Sequence, residues 1–269
     1  LPAVVNVNQA FPGTGNVNAR RPYQGFSNIQ AYSPVVNSNY HALLGKLERR
    51  FSRGRSMLAS YTYGHSIDDG RSGNDQSDPN PQDARNLAAQ RGSSNFDVRH
   101  RFVLSGVYQL PFGKSPGAVN ALLRDWQISG IFSQQTGQPF TVTLNVDPTA
   151  TGTAARPNRL RDGALPSDQR NVNRWFDTTA FVAPSCPCFG NSGRGILRGP
   201  GFANVDVSAV REFHFGERIR LQFRWEAFNL FNHPNLGLPA SAIGAPSVGI
   251  IGSVVNNERQ IQLAMKLYF

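Results

Sequence analysis

The chain has 269 residues, 39% hydrophobic and only 16% charged, with 26 glycines, 18 prolines and 18 phenylalanines, a mix that favours strands and turns over helices. Its formal charge of +10 comes from 27 Lys and Arg against 17 Asp and Glu, scattered with no dense basic run, which argues against a nucleic-acid partner. No stretch reaches the ~20 apolar residues of a membrane helix, since Val248–Val255, the nearest, is broken by Gly and Ser, and two cysteines alone make no disulfide framework.

No signal peptide is visible, and the chain opens on Leu1, so it reads as a fragment or a processed product. A weak strand is expected over Phe26–Val36, limited by Pro34. Over residues 40–51, Leu43, Leu47 and Phe51 face away from Lys46, Glu48 and Arg50. Arg49 falls on the apolar side, near a strand end where a long side chain can reach a polar interface. A short turn, Ser52–Arg55, leads to a strand in which Met57, Ala59, Tyr61 and Tyr63 oppose Leu58, Ser60, Thr62 and Gly64.

After a long polar loop over 67–99, Phe102, Leu104, Gly106, Tyr108 and Leu110 oppose Arg101, Val103, Ser105, Val107 and Gln109. The connection 111–125 is intermediate in length and is placed on the short-turn side, with one helical turn at Ala118–Leu123. Beyond it, Trp126, Ile128, Gly130 and Phe132 oppose Gln127, Ser129, Ile131 and Ser133. A second long loop, 145–202, leads to Val205, Val207 and Ala209 opposite Asp206 and Ser208. A tight turn around Gly216 follows. Then Ile219, Leu221, Phe223, Trp225 and Ala227 oppose Arg218, Arg220, Gln222, Arg224 and Glu226. In "FNLFNHPN", Asn229, Asn232 and Asn235 are expected to bond the turn backbone while Pro234 stops the ladder. A third long loop, 232–258, precedes the last strand, where Ile261, Leu263, Met265, Leu267 and Phe269 oppose Gln260, Gln262, Ala264, Lys266 and Tyr268.

Alternation alone fits a soluble sandwich equally well. Three features favour a membrane barrel instead. Short and long connections alternate, aromatics such as Tyr61, Tyr63, Tyr108, Phe132, Tyr268 and Phe269 sit near strand ends, and the polar faces carry Arg, Gln and Glu along whole strands. The fold class expected is all-β: an antiparallel up-and-down transmembrane β-barrel, partial, of about eight strands, closed or strongly curved. Its lumen would be lined by Arg218, Arg220, Gln222, Arg224, Glu226, Gln260, Gln262 and Lys266. Of these, Arg218, Arg220, Arg224 and Glu226 would meet an anionic substrate, a missing domain, or simply cross-strand neighbours.

The runs "NYHALLGKLERRFSRGRSMLASYTYGHSIDD", "NFDVRHRFVLSGVYQLPFG", "RWFDTTAF", "FGNSGRGILRGPGFANVDVS", "RLQFRWEAFNLFNHPNLG" and "RQIQLAMKLYF" occur in order. Together they resemble TonB-dependent receptors of the type with an N-terminal carboxypeptidase-regulatory-like domain. The resemblance implies a barrel of about 22 strands around a plug, coupled to TonB through an N-terminal box. Residues 1–269 would be the C-terminal part of that barrel, without plug, TonB box or regulatory-like domain. The implied partners are outer-membrane lipid, the missing plug domain, TonB through the absent N-terminal region, and the barrel assembly machinery. Ile261, Leu263, Met265, Leu267 and Phe269 resemble the terminal signal that this machinery reads. The implied role is uptake of a bulky nutrient; the alternative is a non-transporting structural or adhesive surface protein that binds partners through its long loops.

Little points to catalysis. His41, His65, His100, His214 and His233 are dispersed, and there is neither a nucleophile elbow nor a phosphate-binding glycine loop. No enzyme activity, metal or cofactor is therefore expected. The acidic run Asp68, Asp69, Asp75, Asp78 and Asp83 does not match a calcium loop and reads as a solvated loop. Cys186 and Cys188 are either a loop-local disulfide facing an oxidising exterior or two incidental cysteines.

Overall fold

The computed structural model describes residues 3–70, 81–111, 124–153, 155–216 and 218–269. Its main sheet has seven long strands: β1 (Ser38–Ser52), β2 (Arg55–Asp68), β3 (His100–Gln109), β4 (Trp126–Gln135), β5 (Phe202–Phe215), β6 (Ile219–Phe228) and β7 (Gln260–Tyr268). Each pairs antiparallel with its neighbour in chain order, and the two-residue strand Gly92–Ser93 adds to the loop end of β2. No α-helix occurs among the described residues. The helical turn expected at Ala118–Leu123 lies outside them.

The β1–β2 turn consists of Arg53 and Gly54, at φ 51° and 76°. Both central residues of a hairpin turn that follows the strands' right-handed twist need positive φ. Gly54 is also crowded, because a Cβ there would lie 3.3 Å from the Gln109 Cβ. The β5–β6 turn uses Gly216 at φ 68°.

Register carries the alternation across the whole sheet. One row runs Arg49, Met57, Gly106, Gly130, Val207, Ala227, Ile261, one residue from each strand in turn. The row beside it on the other face runs Ser56, Val107, Ser129, Ser208, Glu226, Gln262. The first face is mainly apolar and bare: Leu43 is 68% exposed and Leu263 69%. A soluble sandwich would cover such a face with a second sheet, and none lies over it among the described residues.

Two expectations are corrected. The strand expected at Phe26–Val36 is not part of this sheet. Only Gln30–Ser33 is extended, and it pairs with Ala3–Asn6 in a separate ribbon that stops before Pro34, which has no N–H to give a ladder. Of the two forms expected, closed or strongly curved, closure is absent: among the described residues β1 and β7 each have one unpaired edge. The strand number explains this. In an antiparallel series of seven, the first and last run the same way, from the long-loop end to the short-turn end, so direct closure would need a parallel seam.

The buried core lies among the loops. Phe140, Val142, Phe176, Ala180, Phe181 and Leu197 cluster there, with Trp175, Ile196, Ile243 and Val248 packed against them. Short strand pairs tie it together: Pro139–Phe140 with Leu197–Arg198, Asn158–Arg159 with Phe181–Val182, and Thr143–Leu144 parallel to Ala242–Ile243. The long loops, expected as polar excursions, thus build a cap with its own hydrophobic interior at one end of the sheet.

Candidate functional site

The polar face of β5, β6 and β7 holds most of the residues expected to line a lumen. Gln222 donates to Glu212 at 2.9 Å, Arg220 lies 3.5 Å from the same carboxylate, and Arg224 lies 3.6 Å from Glu226. Arg220 also stacks 4.4 Å from the Tyr268 ring, with Lys266 4.8 Å from that ring. The basic residues are therefore largely paired with neighbours on their own sheet. Gln260 and Gln262 stand opposite Phe228 and Glu226. Arg218 is exposed and precedes the first paired residue of β6, so it belongs to the turn.

Toward β1 the same face hollows into a groove of about 660 Å³, lined by Lys46, Glu48, Arg50, Ser56, Ser105, Ser129, Asp206, Ser208 and Glu226 among others. Its charged groups and four serines are interleaved with Leu58, Val107 and Ile131, so the lining offers a solute both hydrogen bonds and apolar contact.

On the opposite face, Ile261, Leu263, Met265 and Leu267 stand against Ala227, Trp225, Phe223 and Leu221. Phe269 lies one residue beyond β7 and is 99% exposed.

A buried ionic network joins the cap to β2. Asp97 accepts from the Ser66 N–H at 2.7 Å, from His65 at 3.2 Å and from Arg198, with Arg99 at 3.4 Å. Burial alone would raise the Asp97 pKa. The Ser66 N–H, Arg198 and His65 outweigh it and hold the carboxyl below its ordinary value. Next to it, Asp68 pairs with Arg194 and accepts from Ser94, whose hydroxyl is 2.9 Å from that of Ser66. Arg156, also buried, bonds Gln90 at 3.0 Å; burial and the nearby Arg194 lower its pKa to about 10.

Sequence reading missed this network because its partners are distant, with Arg194 and Asp68 separated by 126 positions. One signal was available: Asp97, Arg99, Arg194 and Arg198 all lie within motifs that carry the family resemblance. The acidic run does not act as one unit. Asp68 is taken by Arg194, Asp69 accepts from the Asn37 N–H at 2.7 Å and Asp83 faces Arg85 at 3.4 Å, while Asp75 and Asp78 lie outside the described residues. Cys186 and Cys188 are bridged, with Cα atoms 5.3 Å apart. His41 and His65, far apart in sequence, stand directly opposite on β1 and β2. No cluster able to hold a metal ion occurs among the described residues.

An antiparallel sheet with one bare apolar face, one wet face and its loops gathered into a cap at one end defines the wall of an outer-membrane β-barrel. The family described as an outer membrane beta barrel domain matches residues 1–262, and the chain belongs to that family. Its place is the cell outer membrane. No curated protein and no solved structure matches the chain.

Proposed function

We propose that the chain is the C-terminal barrel wall of a TonB-dependent receptor that takes up a bulky nutrient, such as a glycan fragment or a chelate. The groove across the polar face, where serines and the charged Lys46, Glu48, Arg50, Asp206 and Glu226 stand among apolar residues such as Leu58 and Ile131, is the observation that carries this reading. Such a surface can exchange hydrogen bonds with a passing polar solute, or with a plug domain, without a large desolvation cost. Arg220, Arg224 and Glu226 extend the polar surface to β6, where the plug would lie. TonB would act through the plug and its N-terminal box, both upstream of this chain. Barrel assembly would begin from β7.

The second reading is a non-transporting adhesive or structural protein. It draws support from the hydrophobic core of the cap, which makes the loops a firm presenting surface. The complete reading frame decides between them. A plug domain and TonB box upstream, with nutrient uptake lost in a strain lacking TonB, is the expected result. A complete frame without a plug would select the second reading.

A further inference from the structure

The outward apolar face has a depression that neither reading uses. Gly106 of β3 and Gly130 of β4 stand directly opposite each other, so the wall carries no side chain at that point. The resulting groove, about 690 Å³, is walled by apolar side chains such as Tyr108 and Phe132, and Arg49 and Arg55 stand at it. Both arginines belong to the β1–β2 hairpin at the short-turn end. Among the described residues neither pairs with a carboxylate. Glu48, the acid nearest in sequence, is on the opposite face and lies 2.7 Å from Lys46. Arg55 is held in place by Tyr108, its guanidinium 4.9 Å from the ring centre and 3.4 Å from the hydroxyl.

We propose that this groove binds one anionic phospholipid, with its phosphate on Arg49 and Arg55 and an acyl chain lying along Gly106 and Gly130. A guanidinium fork matches phosphate oxygens in charge and geometry. A ridge-free apolar channel of this size suits an acyl chain, and Tyr108 sits where aromatics mark the interface. Short turns of bacterial barrels lie on the periplasmic side, which places the arginines at the leaflet built of phospholipid. The inference rests on the outer-membrane location and is independent of transport.

Native mass spectrometry of the protein as it stands in outer membranes, extracted folded with its whole barrel and titrated with defined lipids, tests it. Phosphatidylglycerol should be retained roughly tenfold more strongly than phosphatidylcholine. Arg49→Gln with Arg55→Gln should abolish that preference, and Arg49→Lys with Arg55→Lys should restore part of it. Gly130→Leu should weaken retention of both lipids and keep the preference. A Cβ at Gly130 makes only ordinary contacts, 3.4 Å from the Asp206 carbonyl, so the added side chain fills the groove. Unheated and boiled gel migration checks that each variant is folded. If Gly130→Leu does not fold, the arginine pairs decide alone. Equal retention of the two lipids by the unaltered chain would overturn the proposal. So would stronger retention of lipid A than of phosphatidylglycerol through the same arginines.

Discussion

Asn235 pairs with Ala203 as a strand residue would: the Ala203 N–H donates to Asn235 Oδ1 at 2.7 Å, and Asn235 Nδ2 donates to the Ala203 carbonyl at 2.9 Å. The ladder between β5 and β6 has ended by then, and the amide of a fully buried side chain takes over the edge of β5. Asn235→Ala would strand two backbone groups and should cost about 2–3 kcal/mol. Asn235→Asp keeps the acceptor but loses the donor, so it should not rescue. Thermal unfolding followed by gel mobility reads both; a loss well under 1 kcal/mol for the alanine variant would count against the pairing.

Arg53 occupies a left-handed conformation, φ 51°, that favours glycine or asparagine. Its side chain is exposed at the hairpin tip. Arg53→Gly and Arg53→Asn should therefore each stabilise the chain by roughly 0.5–1 kcal/mol. A lower melting temperature for both would mean that the guanidinium makes contacts worth more than the backbone conformation costs.

Asp97 gives the cap an acid limit. Its carboxyl titrates below the ordinary 3.8 because the Ser66 N–H and Arg198 outweigh the effect of burial. A depressed folded value means that the stabilisation is complete above the unfolded pKa and is lost as pH falls through the lower folded one. Loop protease resistance should hold at neutral pH and drop below about pH 4. Asp97→Asn should cost about 3 kcal/mol at neutral pH, since it leaves Arg198 without its charge partner, and should flatten the acid transition. An unchanged transition in the variant would place the acid limit elsewhere.

Much of the wall was legible because one force shapes every strand. Apolar and wet surroundings on opposite sides impose a period of two, and the residues that alternate from Met57 to Tyr63 and from Ile261 to Leu267 keep their faces in the structure. Asn229 and Asn235 were legible for a local reason, as polar residues beside Pro234 that satisfy a stopped ladder. The cap was not legible. Phe140, Val142, Phe176 and Phe181 lie in irregular chain with two-residue strands, so no period marks them. Asp97 and Arg198 are unremarkable until the fold brings them together. The Phe26–Val36 segment misled because alternating apolar residues also suit a short ribbon against Ala3–Asn6.

The free edges of β1 and β7 govern how the sheet can be completed. β1 and β7 run in the same direction, so antiparallel closure requires an odd number of further strands between them. With such strands the total becomes even, as in bacterial barrels. A second copy in the same membrane orientation offers only like-directed edges and cannot supply the missing direction. Unpaired edges of this length attract other strands, so the isolated chain should associate in detergent rather than close on itself. Ala42→Cys on β1 combined with Ala264→Cys on β7 tests this by oxidative crosslinking. Intermolecular products are expected in the isolated chain. An efficient intramolecular crosslink would mean that the sheet closes through a parallel seam, and the strand-direction argument would fail.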